Sequence, residues 1–285
     1  MSQETLTPRF LPEAVYPMGS HHKTEIERTF QMNSEEGTLC LRSSLSGVQV
    51  VFLCFTNRVG SNYLTDLLNL TGYGIRVAEE DFNSSTALAA AQKHGFKSYD
   101  SYLDHIVKVT KRNDTCIWKI GPAQLLWLAN RGFISDFFPE SKYLLLRRRD
   151  KMAQAVSLYA ANSTGQYVGD GRATDVTLNF NKVEIARVLL QCCVGEAHLA
   201  YFYALHGIHP YELWYEDMIA DPRSCVAGIS EWLGTSQKPW LKLVAIDAGE
   251  SLITKQTSKS KEELLSRMRE SFDLTQYSKH IVREK

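Results

Sequence analysis

The stretch from residue 48 to residue 71 constrains the fold more than any other part of the chain. Its first half is a nearly unbroken apolar run, VVFLCF at residues 50–55, which is rich in β-branched and aromatic side chains. A run of this length and composition is typical of a parallel strand that is buried on both faces. Such strands occur where helices cover both sides of a sheet, so the stretch predicts an α/β protein.

A polar loop and a helix follow this strand. The loop, TNRVGSN at residues 56–62, contains Arg58, Gly60, Ser61 and Asn62, and leucines then recur at helical spacing. A loop at a helix N-terminus directs backbone N–H groups and the positive end of the helix dipole outward, which suits a phosphate or a sulfate. The alternative is a plain strand-to-helix connection, in which Gly60 only permits a tight turn and Arg58 is solvated.

Two common nucleotide-binding fingerprints are absent from this loop. The P-loop of ATP- and GTP-hydrolysing proteins has the pattern GxxxxGK[ST], but Ser61 follows Gly60 directly and the loop has no lysine. The dinucleotide pattern GxGxxG is also missing, because Gly60 stands alone in its turn. These absences argue against an ordinary nucleoside triphosphatase and against a nicotinamide or flavin enzyme.

The balance of positive and negative charges limits the kinds of partner that the protein is expected to bind. The 285 residues contain 32 Lys and Arg and 32 Asp and Glu, so the formal net charge is zero. This balance argues against extensive binding to nucleic acid or to an anionic membrane, although a local basic pocket is compatible with it. A chain of this length provides enough material for one large α/β domain.

Cysteine usage and the N-terminal sequence bear on the compartment. The six cysteines form no CxxC pair, and most lie in apolar segments, where cysteine behaves as a small hydrophobic residue. The chain begins MSQETLTPRF, without a basic and then apolar leader, and no run approaches 18 apolar residues. We therefore expect a reduced, cytoplasmic protein without a membrane segment. The oligomeric state is open, and a homodimer is one alternative.

Composition also suggests a division of the chain. Residues 1–46 are polar and contain three prolines, which indicates an N-terminal extension with a short hairpin near residues 37–46. We expect the main domain at residues 47–250. Residues 251–285 begin rich in lysine and serine and contain one more short helix at 262–272, which suggests a C-terminal helical tail.

A carboxylate cluster follows the next predicted strand. Residues 73–83 (YGIRVAEEDFN) predict a short strand that ends at Glu79, Glu80 and Asp81. Loops at the carboxyl ends of parallel strands line the ligand crevice of such sheets, so one carboxylate here is a candidate to face the group held by the first loop. The alternative is three solvated acids before the next helix.

A lysine lies at the end of another predicted strand. Residues 116–120 (CIWKI) are an apolar run that ends at Gly121 and Pro122, where proline is well placed to start a helix. Lys119 either reaches the crevice or only closes the strand, and the sequence favours neither alternative.

The second organising stretch is SKYLLLRRRDKMAQAVSLYAANST at residues 141–164. A buried strand at 143–146 is followed by Arg147, Arg148 and Arg149, and then by a helix that contains Ser157. If this strand pairs with the first one, at least one guanidinium points into the same crevice, where its fork can hold a phosphate through two hydrogen bonds. Ser157 could add a hydroxyl group.

The remaining pattern completes the domain. Residues 179–205 give the longest helical periodicity, and Gly207 follows as a C-terminal cap. Residues 211–215 (YELWY) predict the last strand, which Glu216 and Asp217 follow.

Together these blocks resemble the sulfotransferases that use 3'-phosphoadenosine 5'-phosphosulfate, and in particular the bacterial carbohydrate branch typified by trehalose 2-sulfotransferase. The resemblance spans residues 48–234 and depends on TNRVGSNYL, AEEDFN, the block from RRRDK to ANSTG, and YED. It implies a three-layer α/β domain with a central, mostly parallel sheet and a P-loop-like sulfotransferase fold. It also implies transfer of a sulfonate group to a hydroxyl of a sugar or glycolipid, without a metal.

The resemblance assigns the donor-binding residues. Arg58, Gly60, Ser61 and Asn62 would surround the 5'-phosphosulfate, although the family usually has serine where this chain has Val59 and threonine where it has Asn62. An arginine and Ser157 would hold the 3'-phosphate. The arginine is Arg148 by the bacterial pattern, or Arg149 by the spacing found in other sulfotransferases.

The resemblance also assigns catalytic residues. The family places a glutamate in a PxEFF-like turn as the proposed base, and AEEDFN puts Glu80 at that position with Glu79 as the alternative. A carboxylate within about 3 Å of an acceptor hydroxyl is able to take its proton. Arg58, Lys119 and the helix N-terminus would stabilise the negative charge of the transition state.

Two other functions compete with this interpretation. A non-catalytic module would keep the nucleotide-binding residues and bind without turnover, which the altered first loop suggests. A kinase-like phosphotransferase on a related sheet is disfavoured by the absence of a lysine from that loop.

Overall fold

The computed structural model describes residues 21–70, 80–112, 114–167, 178–234 and 259–272. The strands in these residues are β1 (Gln49–Phe55), β2 (Thr115–Ile120), β3 (Lys142–Arg147) and β4 (Tyr211–Trp214). The helices are α1 (His21–Thr29), α2 (Glu35–Leu45), α3 (Ser61–Leu70), α4 (Ser84–His94), α5 (Tyr99–Thr110), α6 (Pro122–Asn130), α7 (Phe133–Phe137), α8 (Lys151–Thr164), α9 (Lys182–His206), α10 (Tyr215–Ala220), α11 (Pro222–Leu233) and α12 (Lys259–Ser271).

The four strands form one parallel sheet in the order β2-β1-β3-β4. The pairing of β1 with β3 aligns Val51 with Lys142 and Phe55 with Leu146, so the two strands end side by side. The predicted α/β fold with a parallel sheet is confirmed, as are the strands predicted from the four apolar runs at 50–55, 116–120, 143–146 and 211–215. The strand predicted within residues 73–83 lies mostly outside the described residues.

Helices cover both faces of the sheet, which gives three layers. Along β1, Phe52 and Cys54 belong to one hydrophobic cluster, whereas Leu53 and Phe55 belong to the other. The first cluster contains residues of α5, α6 and α9, and the second contains residues of α3 and α11. Both sets of strand side chains are buried, which explains why the sequence of β1 is continuously apolar instead of alternating.

This strand order determines where a ligand can bind. The chain leaves β1 toward β2 on one side of the sheet, then crosses to β3 on the other side of β1. The crevice beyond the carboxyl ends of β1 and β3 is therefore the topological switch point, the usual ligand position in open parallel sheets.

The predicted hairpin near residues 37–46 is wrong, because this segment forms α2. Ser34 caps the helix by accepting a hydrogen bond from the Gly37 backbone N–H, and Leu41 is fully buried. Leu41 joins Ile26 of α1 in the hydrophobic cluster that covers one face of the sheet. Residues on both sides of the predicted boundary at residue 46 thus share one core.

The long helix α9 packs against the rest of the fold. The helix predicted at 179–205 is confirmed as α9, which Asn181 caps and Gly207 ends in a left-handed conformation. By length and composition alone, α9 is the one helix in the described part of the chain that would suit a membrane span. It contacts α8 and α6 and buries Leu199 and Phe202, so one face of it belongs to the protein core. The prediction of no membrane segment stays a prediction.

The first testable prediction concerns α2. We expect Leu41→Ala to lower the free energy of unfolding by about 2–5 kcal/mol, because it removes a fully buried side chain and leaves a cavity. Leu39→Ala is the matched control, since Leu39 on the same helix is 64% exposed. Urea unfolding measures both. Equal, small losses would show that α2 does not contribute to the core.

Candidate active site

The loop after β1 has a tightly constrained backbone. Arg58 and Gly60 both have positive φ angles, 67° and 88°. A Cβ atom on Gly60 would lie 2.6 Å from Cδ2 of Tyr215, the first residue of α10. Glycine is therefore required at position 60 for two independent reasons, the φ angle and the close approach of the Tyr215 ring.

A buried glutamine braces the same loop. Gln154 of α8 is fully buried, and its amide nitrogen donates hydrogen bonds to the Thr56 hydroxyl at 2.9 Å and to the Asn57 carbonyl at 2.8 Å. It fixes the loop after β1 to the helix that follows β3. Gln154 does not stand out in the sequence, because one glutamine within an amphipathic helix carries no signal of such a role.

The loop and α8 bring three predicted binding residues together, which we call the arginine cluster: Arg58, Arg148 and Ser157. Arg58 Nε donates to the Ser157 hydroxyl at 3.0 Å. Arg148 Nη1 donates to the Arg58 carbonyl at 3.2 Å, and its guanidinium lies 4.7 Å from the centre of the Tyr215 ring. The structure thus joins residues that are 99 positions apart in the sequence.

The partners of the three consecutive arginines distinguish them. Arg147 donates to the Glu196 and Glu212 carboxylates, and Arg149 forms two hydrogen bonds with Asp217 at 2.6 and 2.7 Å. Arg148 instead contacts a carbonyl and an aromatic ring, and its buried Nε has no hydrogen-bond partner in the described part of the chain. Of the two predicted alternatives for the 3'-phosphate, this geometry favours Arg148.

Like charges within the arginine cluster oppose one another. The pKa of Arg58 is lowered from its ordinary value, first because burial disfavours the charged guanidinium and then because of the positive charge of Arg148. An anion bound here would compensate for both effects. Oxygen atoms of a phosphate are well suited to the guanidinium groups and to the Ser157 hydroxyl.

A second group of residues lies at the ends of β1 and β2, and we call it the lysine group: Asn62, Glu80 and Lys119. Lys119 is only 3% exposed, and it donates to Asn62 Oδ1. Its Nζ lies 3.7 Å from Glu80 Oε1 and 5.3 Å from the centre of the Phe55 ring. The pKa of Lys119 is lowered by burial, while the Glu80 carboxylate acts in the opposite direction. These contacts with Asn62 and Glu80 fit the alternative in which Lys119 reaches the crevice, and its role stays a prediction.

Two further amide side chains position Glu80. Asn83 donates from Nδ2 to Glu80 Oε2 at 2.9 Å, and Gln124 of α6 donates to Asn83 Oδ1 at 2.7 Å. Glu80 is partly exposed, with 32% of its side chain accessible, so the carboxylate is oriented by protein yet open to solvent. Neither Asn83 nor Gln124 stood out in the sequence. Glu79 lies outside the described residues.

The valine of the loop is part of the core. Val59 is fully buried and belongs to the same cluster as Leu64 and Met218. Ser61, at the start of α3, is also buried. The Val59 side chain thus holds the loop against the hydrophobic core, and it need not contact a ligand.

The predicted catalytic residues are divided between the two groups. Lys119 and Glu80 lie together in the lysine group, whereas the Arg58 side chain lies in the arginine cluster. Within the described residues, no group of three His, Cys, Asp or Glu side chains is placed to hold a metal ion. The two groups together offer cationic side chains suited to an anion and, at the same edge of the sheet, an oriented carboxylate suited to accept a proton.

A family model described as Stf0 sulphotransferase matches residues 126–271. The match covers half of the chain, and the chain belongs to this trehalose 2-sulfotransferase-like family. The sheet is consistent with its P-loop-like sulfotransferase fold, and membership supports sulfonate transfer in general. A search of curated proteins finds no match. The matched range includes Arg148, Ser157 and α12, but it begins after Arg58, Glu80 and Lys119.

The second prediction tests the constraint at Gly60. We expect Gly60→Ala to lower the free energy of unfolding by about 1–3 kcal/mol from backbone strain alone, and further because the new methyl group displaces Tyr215. Gly95→Ala is the matched control, because Gly95 also has a positive φ, 76°, but nothing lies within 4 Å of a Cβ there. Urea unfolding should show the larger loss at position 60. Equal losses would mean that the contact with Tyr215 imposes no constraint.

Proposed function

We propose that this protein transfers a sulfonate group from 3'-phosphoadenosine 5'-phosphosulfate to a hydroxyl of a carbohydrate or glycolipid, by direct in-line displacement. The observation that carries the proposal is the joint placement of the arginine cluster and the lysine group at the carboxyl edge of β2, β1 and β3. One group suits the 3'-phosphate of the donor. The other offers a base and a cation for the transfer.

The arginine cluster suits the donor's second phosphate. Arg148 has an unpartnered buried Nε, Arg58 lies against it, and Ser157 supplies a hydroxyl. A phosphate dianion accepts several charge-assisted hydrogen bonds, which are stronger than neutral ones. Adenosine 5'-phosphate lacks this 3'-phosphate, so the cluster would distinguish the donor from common adenine nucleotides. Gly60, Ser61 and Asn62 would then lie near the 5'-phosphosulfate, at the N-terminus of α3.

The lysine group fits the transfer step. Glu80 accepts the proton of the acceptor hydroxyl while the new bond between oxygen and sulfur forms. The bond between sulfur and the phosphate oxygen breaks, and its electron pair stays on the departing 3'-phosphoadenosine 5'-phosphate. Lys119 stabilises the negative charge on the sulfonate and on the leaving oxygen. Asn83 and Gln124 keep the Glu80 carboxylate oriented.

Several properties accompany the proposal. The acceptor is a small sugar or a glycolipid, and neither nucleic acid nor a metal takes part. The proposal includes a cytoplasmic location, since the six cysteines are free and free thiols suit a reducing compartment. A homodimer is an open alternative.

One observation favours the second candidate, a module that binds the nucleotide without transfer. The family match includes Arg148 and Ser157 but begins after Lys119 and Glu80, so it supports the nucleotide-binding half more directly than the reacting half. The two functions differ in one measurement, which is turnover. Incubation with labelled donor and a panel of sugars and glycolipids, read as a gain in mass of the acceptor, separates them.

The third prediction concerns nucleotide recognition. At a concentration 100-fold above its Kd, 3'-phosphoadenosine 5'-phosphate should raise the melting temperature by about 5 °C. Adenosine 5'-phosphate should raise it far less, because it leaves the arginine cluster empty. Differential scanning calorimetry compares the two ligands at equal concentration. Equal shifts would contradict the assignment of a 3'-phosphate site.

The fourth prediction concerns the base. Glu80→Gln should preserve binding of 3'-phosphoadenosine 5'-phosphate but lower the transfer rate by a factor of about 100 or more, since general-base catalysis contributes 100- to 10,000-fold. Glu140→Gln, a change at an exposed glutamate after α7, serves as the control. Binding is measured by calorimetry and transfer by the acceptor's gain in mass. Unchanged transfer would place the base elsewhere.

A further inference from the structure

The side chain of Asn83 is used for Glu80 instead of for its own helix. Asn83 occupies the N-cap position of α4, where a side-chain oxygen commonly accepts a hydrogen bond from the first turn. Here Asn83 Oδ1 accepts from Gln124 and Nδ2 donates to Glu80, and this side chain forms no capping hydrogen bond within the described residues. The start of α4 therefore needs another group to hold it.

Glu25 of the N-terminal helix α1 contacts this helix start. Its carboxylate accepts a hydrogen bond from the hydroxyl of Ser84, the first residue of α4, and Ser84 is only 1% exposed. A carboxylate near a helix N-terminus is also stabilised by the positive end of the helix dipole. The Glu25 carboxylate therefore stabilises the start of α4 in place of the Asn83 side chain.

The same helix α1 also holds α6, which carries Gln124. Glu27 Oε1 accepts hydrogen bonds from Trp127 Nε1 at 3.0 Å and from Arg131 Nε at 2.9 Å. Trp127 lies three residues after Gln124, so the two side chains occupy neighbouring positions on one face of α6. The contacts of Glu27 thus fix the part of α6 from which Gln124 reaches Asn83.

Ile26, between the two glutamates, anchors α1 in the core. It is 1% exposed and belongs to the same hydrophobic cluster as Phe82, which lies two residues after Glu80. Because Glu25 and Glu27 leave the helix on either side of Ile26, one carboxylate reaches α4 and the other reaches α6. Helix α1 therefore joins the two helices whose hydrogen bonds orient Glu80.

We propose that Glu25 is a positioning residue for the catalytic base: through Ser84 it holds the turn that presents Glu80 to the acceptor. The inference rests on the proposed function, and it gives α1, which the sequence places in an N-terminal extension, a role in the transfer step. Arg148 and Ser157 of the donor site lie on other elements. Loss of the Glu25 contact should therefore impair transfer and spare nucleotide binding.

The fifth prediction concerns Glu25 and is tested by steady-state kinetics with an acceptor identified from the panel of sugars and glycolipids. Glu25→Ala should lower kcat about tenfold or more, because a small misplacement of a catalytic group costs a large factor in rate. The Kd of 3'-phosphoadenosine 5'-phosphate, measured by calorimetry, should change less than twofold. Glu25→Gln should retain most of the rate, since its amide oxygen is still able to accept from Ser84. Arg28→Ala, at an exposed position on the same helix, is the control and should change neither quantity.

A second variant removes the same hydrogen bond from the other side. Ser84→Ala should lower kcat by a factor similar to that of Glu25→Ala, and the double variant should be no slower than either single variant, because both changes remove one interaction. Hydrogen exchange of the ligand-free proteins adds a measurement that does not depend on transfer. Amides in a peptide that includes residues 80–90 should exchange about tenfold faster in both single variants than in the wild type, because a hydrogen bond to a charged group is lost.

Three results would overturn the role of Glu25. An unchanged kcat in Glu25→Ala would show that the contact does not position the base. A nucleotide affinity that falls in parallel with kcat would show a general structural role. Losses that multiply in the double variant would show that Glu25 and Ser84 act independently.

The wild-type protein separates this inference from the proposed function. If the wild type transfers sulfonate and Glu25→Ala transfers it equally fast, the proposed function stands and only the role of Glu25 is refuted. If the wild type transfers sulfonate to no acceptor of the panel, the proposed transfer is refuted, and the role of Glu25 in it is refuted as well.

Discussion

The parallel pairing of β1 with β3 is the constraint on which the candidate site depends. It aligns Phe55 with Leu146, so the chain leaves both strands at the same edge and in adjacent positions. Arg58 lies three residues after Phe55, and Arg148 lies two residues after Leu146. Arg148 Nη1 donates a hydrogen bond to the Arg58 carbonyl at 3.2 Å. Gln154 then fixes the first loop to α8 through two hydrogen bonds. A shift in this register would move Arg58 away from Arg148 and Ser157 and so separate the residues of the arginine cluster.

The positions of the carboxylates distinguish the arginines that stabilise the end of β3 from the arginine that is suited to bind a ligand. Arg147 and Arg149 form ion pairs with side chains from α9, β4 and α10, which hold the end of β3 in place. Arg148 contacts a carbonyl and a ring instead, and the charge of Arg148 lowers the pKa of Arg58. Two like charges held close together at a partly buried site oppose one another in the ligand-free protein. Proteins tolerate such costs mainly where a ligand later provides the compensation.

The sequence predicted the elements with long apolar runs well, because a strand buried on both faces has few alternatives. It failed for α2, where a hairpin was predicted near residues 37–46, because the burial of Leu41 against the rest of the core is a tertiary contact that the local sequence does not reveal. It could not choose between Arg148 and Arg149, because the choice depends on Asp217, a partner 68 residues away. Gln154 was missed for the same reason: its role exists only once α8 lies beside the first loop.

The two residues by which the first loop departs from the family pattern have different consequences. Val59 faces the core, so its apolar side chain adds packing without removing a ligand contact. Asn62 accepts a hydrogen bond from Lys119, which is buried and also close to Glu80. In the proposed reaction Glu80 takes up a proton and so loses its negative charge. At the same moment the leaving phosphate oxygen gains a negative charge. Lys119 would then exchange one anionic partner for another while Asn62 holds it in place, so the buried ammonium would keep a counter-charge throughout the transfer.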